Sequence, residues 1–340
     1  MGIQISEIVP RKEISLSELK GKTIAIDAFN AIYQFLTTIR QIDGTPLMDK
    51  DGKITSHLSG LFYRNINLLL EGIKPIYVFD GKPPELKDEE LERRKQAKKE
   101  AKEKYESAKE KGDNEGMRKY SAQFVKIDDE IIKESKELLE AMGIPVIQAH
   151  GEGEAEAAIL ARNKKVWAAA SQDYDALLYG VPILIRNLTL ARKRKTSSGV
   201  YVDVNPEIIE FQDVLNKLEI DKDQLICLAI LVGTDYNPGG VRGLGQKRAL
   251  EIVRRYKFPI KIFEYVKENP KLELLFDWQS IFEHFRELKQ SHNGTIEFKK
   301  VNSKKVKDLL IKKDFSEARI DSGLNKLKDL EEQQKQRTLF

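Results

Sequence analysis

The chain has 340 residues, enough to bury a large hydrophobic core as one domain or as two closely packed ones. Charged residues make up 33% of it, yet the formal net charge is only +4, which excludes a simple polycation. The single cysteine, Cys227, excludes an internal disulfide framework, and no apolar stretch approaches the roughly 18 to 20 residues of a membrane span. We therefore expect a soluble, cytoplasmic protein with no membrane association.

Strand and helix patterns alternate at the start of the chain. The predicted elements are a strand at 23–26, a helix at 28–40, a loop or hairpin at 41–55, a helix at 56–71 and a strand at 76–79. Each of the two strands leads directly into an aspartate, Asp27 or Asp80. This alternation is typical of an α/β fold with a mostly parallel central sheet flanked by helices.

Three side chains on the two predicted helices have two interpretations. Tyr33 and Arg40 share a face of the first helix, and Arg64 lies on the second. The simpler interpretation is a half-buried tyrosine and solvated arginines. Beside an acidic pocket, the same residues could stack on a base and hold phosphates.

A highly charged segment follows Asp80. Residues 87–119 contain twelve Lys or Arg and ten Asp or Glu, with hardly any apolar residues. Such a segment cannot pack as an ordinary core helix, so it is a solvated helix, an excursion from the fold, or disordered. Its first cations could overhang a pocket at Asp80 and attract a phosphate; they are Lys87, Arg93, Arg94, Lys95, Lys98 and Lys99.

More acidic residues follow apolar segments further along the chain. A helix is predicted at 127–142, and a loop then enters an Ala-rich helix through Glu152 and Glu154. Acids in a first helical turn commonly complement the helix dipole, so these two are ambiguous alone. The run 166–170 predicts a buried strand leading to Asp173 and Asp175, and the run 224–232 ends shortly before Asp235.

If these segments converge, seven carboxylates share one pocket: Asp27, Asp80, Glu152, Glu154, Asp173, Asp175 and Asp235. Two like charges about 4 Å apart cost on the order of 4 kcal/mol at an effective dielectric of 20, so bound cations must neutralise such a cluster. Oxygen ligands suit Mg²⁺ or Mn²⁺, and two such ions can support phosphodiester cleavage. The four histidines are scattered without ligand spacing, which argues against zinc.

A glycine-rich turn at 239–245 precedes a basic helix. Gly240, Gly243 and Gly245 let backbone N–H groups approach an anion, and Lys247 and Arg248 add charge beside them. This pattern indicates a helix-hairpin-helix element that grips duplex backbone without reading bases; a glycine C-cap and turn is the alternative. Helices are predicted from 256 to 330, followed by a flexible polar tail at 331–340.

Taken together and in this order, these motifs closely resemble those of the flap endonucleases, particularly the archaeal branch. The resemblance runs almost end to end through Met1-Gly2-Ile3, Ile26-Asp27-Ala28, Tyr33-Gln34-Phe35-Leu36, Val78-Phe79-Asp80-Gly81-Lys82-Pro83-Pro84, Gly153-Glu154-Ala155-Glu156-Ala157, Asp173-Tyr174-Asp175, Gly233-Thr234-Asp235-Tyr236 and Gly243-Leu244-Gly245.

The resemblance implies a structure-specific nuclease that hydrolyses a phosphodiester at the base of a 5′ flap, with 5′–3′ exonuclease activity, in Okazaki fragment maturation and repair. It implies a PIN-like nuclease core whose seven acids hold two Mg²⁺ or Mn²⁺ ions, Asp175 being essential for turnover. The charged insertion would form a helical arch admitting the flap, from which Lys87 and Arg94 contact the scissile phosphate.

The resemblance also assigns DNA contacts. Tyr33 would stack on the junction nucleotide, Arg40 and Arg64 would hold nearby phosphates, and the amino group freed at Gly2 would lie close to the site. The hairpin from Gly240 to Gly245, with Lys247 and Arg248, would grip downstream duplex through a bridging K⁺.

The resemblance implies a single nuclease domain at 1–330. Its parts are an N-terminal region at 1–98, an arch at 85–130, an internal region at 120–255 with the helix-hairpin-helix at 225–255, and C-terminal helices at 256–330. Gln336, Leu339 and Phe340 begin a motif for binding a sliding clamp, but the chain stops before the aromatic pair is complete. The expected partners are branched DNA with a 5′ flap and, through this incomplete motif, a sliding clamp; the protein alone is expected to be monomeric.

Three alternatives remain open on sequence. A related 5′ nuclease that opens bubbles or trims ends would carry a different or much longer insertion after Asp80. A non-catalytic helix-hairpin-helix protein would bind duplex DNA regardless of Mg²⁺ and leave the seven acids unexplained. An RNA-degrading relative would prefer RNA and need no duplex grip.

Overall fold

The fold is built on a seven-stranded sheet. The computed structural model describes residues 2–41, 44–81, 88–121, 123, 125–190, 193–195, 200–287 and 294–337. The strands of this sheet are β1 (Lys12–Glu13), β2 (Thr23–Asp27), β3 (Lys74–Phe79), β4 (Val146–Gln148), β5 (Ala168–Ala170), β6 (Ile183–Arg186) and β9 (Glu207–Glu210). Two further strands, β7 (Lys193–Lys195) and β8 (Tyr201–Asp203), form a separate antiparallel pair.

The strand order is β1-β9-β6-β5-β2-β3-β4. Strand β2 pairs in parallel with both β3 and β5, which continue in parallel to β4 and β6, whereas β9 is antiparallel to β6 and β1. The chain therefore leaves β2 toward β3 on one side and returns to β5 on the other. Such a reversal opens a crevice beyond the carboxyl ends of the strands, which is where open α/β sheets bind ligands.

Thirteen helices are assigned within the described residues, and the mostly parallel α/β fold that the sequence predicts is confirmed. They are α1 (Ala28–Thr38), α2 (Ser56–Leu70), α3 (Asp88–Glu110), α4 (Asn114–Ser121), α5 (Asp129–Ala141), α6 (Gly153–Arg162), α7 (Phe211–Leu218), α8 (Lys222–Val232), α9 (Gln246–Tyr256), α10 (Pro259–Glu268), α11 (Trp278–Arg286), α12 (Ser303–Ile311) and α13 (Glu317–Arg337). Short 3-10 turns span Leu16–Leu19 and Asp175–Leu177.

The sheet separates two hydrophobic layers. Along β2, Ile24 and Ile26 face a layer that includes α1, α2, α5, α12 and α13, and Ala25 faces one that includes α6 and α8 to α11. Both faces of the strand are buried, which explains its continuous apolar sequence. Among the described helices, none combines the length and apolar character needed to cross a bilayer.

The charged insertion is a helical hairpin of α3 and α4 in its described part. The two helices meet through small residues, since a Cβ atom at Gly116 would lie 3.1 Å from Cβ of Ala108. Ala108 is buried, so the charged side chains of α3 are left to the other faces of the helix. Of the three predicted states, the solvated helix therefore describes residues 88–110 and 114–121.

The apolar run before Asp235 is the buried helix α8, within the region where the resemblance implies a helix-hairpin-helix element. One segment differs from expectation in its secondary structure. Residues 331–337, for which the sequence predicts a flexible tail, are the last residues of helix α13, which continues to Arg337. Glu, Gln, Lys and Arg are good helix formers, which favours continuation of the helix through this polar segment. Leu339 and Phe340 lie outside the described residues, as does the side chain of Gln336.

Gly60 on α2 fixes the approach of α1. A Cβ atom there would lie 2.2 Å from Cγ of Phe35, whose ring is buried. We expect Gly60→Ala to lower the free energy of unfolding by about 2 kcal/mol, because overpacking outweighs the better helix propensity of alanine. Urea unfolding followed by circular dichroism measures this. Gly151→Ala is the matched control, since no atom lies within 4 Å of a Cβ there; equal losses in both variants would contradict the close approach.

Candidate metal centre

The carboxylates identified in the sequence gather beyond the ends of β2, β3 and β5. Asp27 ends β2 and caps α1, and Asp80 follows β3. Asp173 and Asp175 follow β5. The other three come from helix ends: Glu152 and Glu154 begin α6, and Asp235 follows α8.

The start of α6 is bonded to two of these strand ends. The amide of Gly153 donates to Oδ1 of Asp80 at 2.6 Å. The hydroxyl of Ser171 donates to Oε1 of Glu154 at 2.6 Å and accepts from the amide of Asp173 at 3.2 Å. The acids on α6 and those after β3 and β5 therefore belong to one hydrogen-bonded assembly.

The N-terminal segment reaches the same assembly. The amide of Gly2 donates to Oδ1 of Asp173 at 2.9 Å, and that of Ile3 donates to Oδ1 of Asp175 at 2.7 Å. A Cβ atom at Gly2 would lie 2.6 Å from Cβ of Asp173, so the chain can come this close only as glycine. Gly2 is thus placed beside the acids, where the sequence predicts it.

Asn30 contacts the acidic pocket but is not predicted from the sequence. Its backbone amide donates to Oδ1 of Asp27 at 3.1 Å, and its side-chain amide donates to Oδ2 of Asp173 at 3.1 Å. Its side-chain oxygen accepts from the amide of Gln172 at 3.2 Å. One residue in the first turn of α1 therefore orients two of the acids; a polar residue three positions after Asp27 was the available signal.

A second missed group surrounds Glu152. Its Oε2 atom accepts hydrogen bonds from the hydroxyls of Tyr179 and Tyr236 and lies 3.4 Å from Nε2 of His284. Burial, followed by the charge of Glu152, raises the pKa of both phenols above the ordinary range, so they stay neutral donors. No spacing pattern in the sequence indicates this group, because its members lie far apart in the chain.

The electrostatics of the pocket disfavour full ionisation. Burial, with the charges of Asp80 and Asp173, raises the pKa of Asp27 to about 8. Burial, with Asp173, Asp235 and Glu152, raises the pKa of Asp175 to about 7. Burial also raises the pKa of Glu154 well above its ordinary value, with Asp175, Asp27 and Asp173 contributing. These pairings connect all seven carboxylates, so positive charge bound among them would stabilise the ionised pocket.

The donor set fits hydrated hard cations. Carboxylate oxygens suit Mg²⁺ or Mn²⁺, whereas structural zinc prefers cysteine and histidine. In the part of the chain that the structure describes, no three acidic, histidine or cysteine side chains enclose one point as a ready-made cage. Mg²⁺ does not need such a cage, because it keeps several waters and is held by one or two carboxylates and substrate phosphates.

The predicted DNA contacts near the pocket have different surroundings. Tyr33 on α1 is 42% exposed, as a stacking residue must be, and Arg64 on α2 is half-buried. Arg40 instead makes hydrogen bonds within the protein: Nη1 donates to the carbonyl of Gly44 and to the hydroxyl of Ser121, both at 2.7 Å, and Nε donates to two carbonyls of α1. Arg40 therefore anchors the end of α4, and its phosphate contact stays a prediction.

The structure describes little of the two predicted arch contacts, Lys87 and Arg94. Lys87 lies outside the described residues, and only the backbone of Arg94 is described, within α3. Arg93, Lys95 and Lys99 are exposed on the same helix.

The glycine-rich turn leads into α9 as predicted. Gly239, Gly240 and Gly243 adopt φ values of +84°, +58° and +81°, which glycine alone adopts readily. Gly240 also packs against the end of α8, where a Cβ atom would lie 2.4 Å from the carbonyl oxygen of Leu231. Gly245 precedes the first residue of α9, and Lys247 and Arg248 are exposed in its first turn. The turn thus presents a helix N-terminus with two cations beside it, a geometry that favours anions.

Comparison with family models matches two regions of the chain. Residues 1–101 match the XPG N-terminal domain and residues 143–235 match the XPG I-region. All seven acids fall within these two regions, and Asp235 is the last matched residue. Asn30, Tyr33 and Tyr179 also fall within them. His284 lies outside both.

The chain is also similar to proteins of known name over its whole length. It is 52% identical to flap endonuclease 1 of Thermococcus onnurineus and of Pyrococcus furiosus, in each case over 100% of this chain and 98% of the relative. Among solved structures, flap endonuclease-1 from Methanococcus jannaschii superposes with a TM-score of 0.76 at 39% identity, covering 97% of this chain and 98% of the other. The catalytic core of Rad2, solved with DNA substrate, shares the fold at 22% identity with a TM-score of 0.71, over 93% of this chain and 96% of the other.

Proposed function

The chain belongs to the flap endonuclease family, and from this premise we propose that it hydrolyses a phosphodiester where a 5′ single-stranded flap joins duplex DNA. The expected products carry a 5′-phosphate and a 3′-hydroxyl, and the expected roles are Okazaki fragment maturation and repair, with 5′–3′ exonuclease activity as well. The observation that carries this proposal is the meeting of seven carboxylates at the sheet's switch point, in a chain 52% identical to named flap endonucleases.

We assign two divalent ions, Mg²⁺ or Mn²⁺, to this pocket. Its ligands, direct or through water, are Asp27, Asp80, Glu152, Glu154, Asp173, Asp175 and Asp235. When bound, such ions supply a nucleophilic hydroxide and stabilise the charge of the leaving oxygen. The protein's part is to hold its oxygens in fixed directions, as the amides of Gly2, Ile3 and Gly153 do for Asp173, Asp175 and Asp80.

The proposed DNA path follows the cationic and aromatic groups that the resemblance assigns to DNA contacts. Tyr33, exposed on α1, stacks on the junction nucleotide, and Arg64 holds a nearby phosphate. The helical insertion forms an arch over the flap, from which Lys87 and Arg94 neutralise charge on the scissile phosphate. The turn at Gly240–Gly245, with Lys247, Arg248 and a bridging K⁺, grips the downstream duplex.

We further propose a sliding clamp as a protein partner. The support is the resemblance of Gln336, Leu339 and Phe340 to the beginning of a clamp-binding motif. Helix α13 brings the chain to Arg337, two residues before Leu339.

A panel of labelled substrates tests the proposed function. Double-flap, bubble, blunt-duplex and single-stranded RNA substrates are each incubated with the protein in Mg²⁺ or in EDTA. We expect cutting of the flap substrate at the junction, with Mg²⁺ only. Preferential cutting of the bubble or the RNA would assign the chain to a different nuclease class. Duplex binding that is indifferent to Mg²⁺ and gives no product would indicate a non-catalytic DNA-binding protein.

Asn30 should set the strength of metal binding. We expect Asn30→Leu to weaken Mn²⁺ binding in the absence of DNA by about 10- to 100-fold. The carboxylate of Asp173 and the backbone amide of Gln172 would each lose their hydrogen-bond partner on α1. Calorimetric titration with Mn²⁺ measures this. Asn67→Leu, on α2 outside the acidic pocket, is the control. Unchanged Mn²⁺ affinity in a folded Asn30→Leu protein would show that Asn30 does not orient the acids.

A further inference from the structure

One oxygen of Glu152 is contacted by side chains from three separate parts of the chain. Tyr179 follows the 3-10 turn after β5, Tyr236 follows α8, and His284 belongs to α11. The hydroxyl of Tyr236 donates to Oε2 of Glu152 at 2.5 Å, the hydroxyl of Tyr179 donates to the same atom, and Nε2 of His284 lies 3.4 Å away. We call these three side chains the Glu152 bracket.

The hydrogen-bond donors available in the bracket follow from the chemistry of its three side chains. Each phenol has one proton, and both phenols lie within hydrogen-bond reach of the same carboxylate oxygen. Nε2 of His284 also lies 3.3 Å from the hydroxyl oxygen of Tyr179. With its proton on Nε2, the imidazole donates to that hydroxyl oxygen or to Glu152. Oε2 of Glu152 therefore accepts from both phenols, and the imidazole contacts the same group either at Oε2 or at the Tyr179 hydroxyl.

The bracket is itself held by packing. Tyr179 and Tyr236 are 3% and 7% exposed. The ring of Tyr236 lies 4.4 Å from that of His284, and the rings of both tyrosines lie 5.3 Å from that of Phe285, centroid to centroid. Because the donors are fixed in this aromatic cluster, they can select one rotamer of Glu152 rather than follow it.

We propose that Tyr179, Tyr236 and His284 are positioning residues, which fix Oε2 of Glu152 and thereby direct its other oxygen toward the divalent ions. The two oxygens of the glutamate carboxylate lie in one plane with Cγ and Cδ, so fixing one oxygen and the Cγ–Cδ bond determines where the other oxygen lies. This inference rests on the proposed function, in which Glu152 is a metal ligand.

The bracket also gives the C-terminal helices a part in the site. His284 lies on α11, beyond residue 235, where the matched XPG I-region ends. Helix α11 packs on α8, so the segment carrying His284 and the segment leading to Tyr236 are joined in one layer. Through Glu152, the acidic pocket thus contacts a helix that lies outside the two matched regions, which contain all seven acids.

Substitutions that remove only the donor groups test the proposal. We expect Tyr179→Phe and Tyr236→Phe each to weaken Mn²⁺ binding to the DNA-free protein, and the double variant to weaken it about 10- to 100-fold, as measured by calorimetry. The Mg²⁺ concentration for half-maximal flap cleavage should rise in parallel. His284→Phe should behave similarly, whereas His284→Gln, which keeps an N–H donor, should recover much of the loss.

Tyr77→Phe is the matched control. Its phenol is fully buried and bonded to Asn65, so its loss removes a buried hydrogen bond outside the acidic pocket. We expect lower stability but unchanged Mn²⁺ affinity in this variant, and thermal unfolding of every variant shows that the comparison is between folded proteins.

Glu152→Gln separates the inference from the proposed function. If Glu152→Gln weakens Mn²⁺ binding but the folded single Tyr→Phe variants keep both the affinity and the Mg²⁺ dependence of the parent protein, the bracket has no positioning role. If Glu152→Gln itself leaves Mn²⁺ binding and flap cleavage unchanged, the assignment of Glu152 as a ligand in the proposed function is wrong.

Discussion

The Asp175→Asn protein is expected to cleave flap DNA at least about 10³-fold more slowly than the parent protein while binding the flap with similar affinity. Asparagine keeps an oxygen that can accept the hydrogen bond from the Ile3 amide, seen at 2.7 Å, so the backbone keeps its contact. What the substitution removes is one negative charge from the centre of the cluster. Single-turnover cleavage in Mg²⁺ and flap binding in Ca²⁺ measure the two quantities separately.

The same variant carries a stability prediction that follows from the raised pKa of Asp175. The ordinary pKa is 3.8 and the folded-state pKa is about 7 because of burial and the neighbouring acids. Between these values the folded protein binds more protons at this group than the unfolded protein, so the carboxylate lowers stability as pH rises through that window. In metal-free buffer at pH 8, Asp175→Asn should therefore unfold at a higher urea concentration than the parent protein.

Asp308→Asn, an exposed acid on α12, is the control for both measurements and should change neither. Full cleavage activity in the Asp175→Asn protein would refute the assigned metal centre. If the Asp175→Asn protein is less stable than the parent protein in metal-free buffer, the Asp175 carboxylate stabilises the fold as a hydrogen-bond acceptor. Its charge would then not be one that needs bound cations for compensation.

The second large effect is expected at Gly240. Alanine there must adopt a φ of +58° and would place Cβ 2.4 Å from the carbonyl oxygen of Leu231 and 2.5 Å from the amide nitrogen of Gly233. Both are backbone atoms, which cannot turn aside as a side chain does. We expect Gly240→Ala to cost about 3 kcal/mol of unfolding free energy and to weaken duplex binding, because the turn must move away from α8.

The Gly239→Ala variant distinguishes the backbone strain of a positive φ from the steric clash of a Cβ atom. Gly239 also has a positive φ, +84°, but no atom lies within 4 Å of a Cβ there. Gly239→Ala should therefore lower the free energy of unfolding by only about 1 kcal/mol, the cost of placing alanine in a left-handed backbone conformation. Urea unfolding and duplex binding at fixed salt measure both variants. Equal effects in the two would show that the close approach of the turn to α8 is not what holds the hairpin.

The sequence indicated the acids because parallel strands impose a local rule. An apolar run that ends in a carboxylate carries a functional signal over four or five residues, and Asp27, Asp80 and Asp173 all follow such runs. Arg40 shows where the local rule stops. The sequence offered a solvated cation or a phosphate ligand, but the structure bonds its guanidinium to Ser121, 81 residues away.

The residues that the sequence did not reveal act through contacts between distant elements. Asn30 reaches Asp173 across 143 positions, and His284 reaches Glu152 across 132. An asparagine in a first helical turn and a histidine on an amphipathic helix are both common without any such role. Only the packing of α1 and α11 against the ends of the sheet distinguishes these two.

By itself, the sequence determined the α/β class and the positions of most helices and strands, and it singled out seven acids that the fold brings together, because periodicity and strand ends are properties of neighbouring residues. The tertiary structure alone decided that Arg40 anchors the insertion and which neutral side chains bond to the carboxylates. Those outcomes depend on burial and on hydrogen bonds that form only when separate elements pack together. The acidic character of the pocket was therefore readable along the chain, and its geometry was set by the fold.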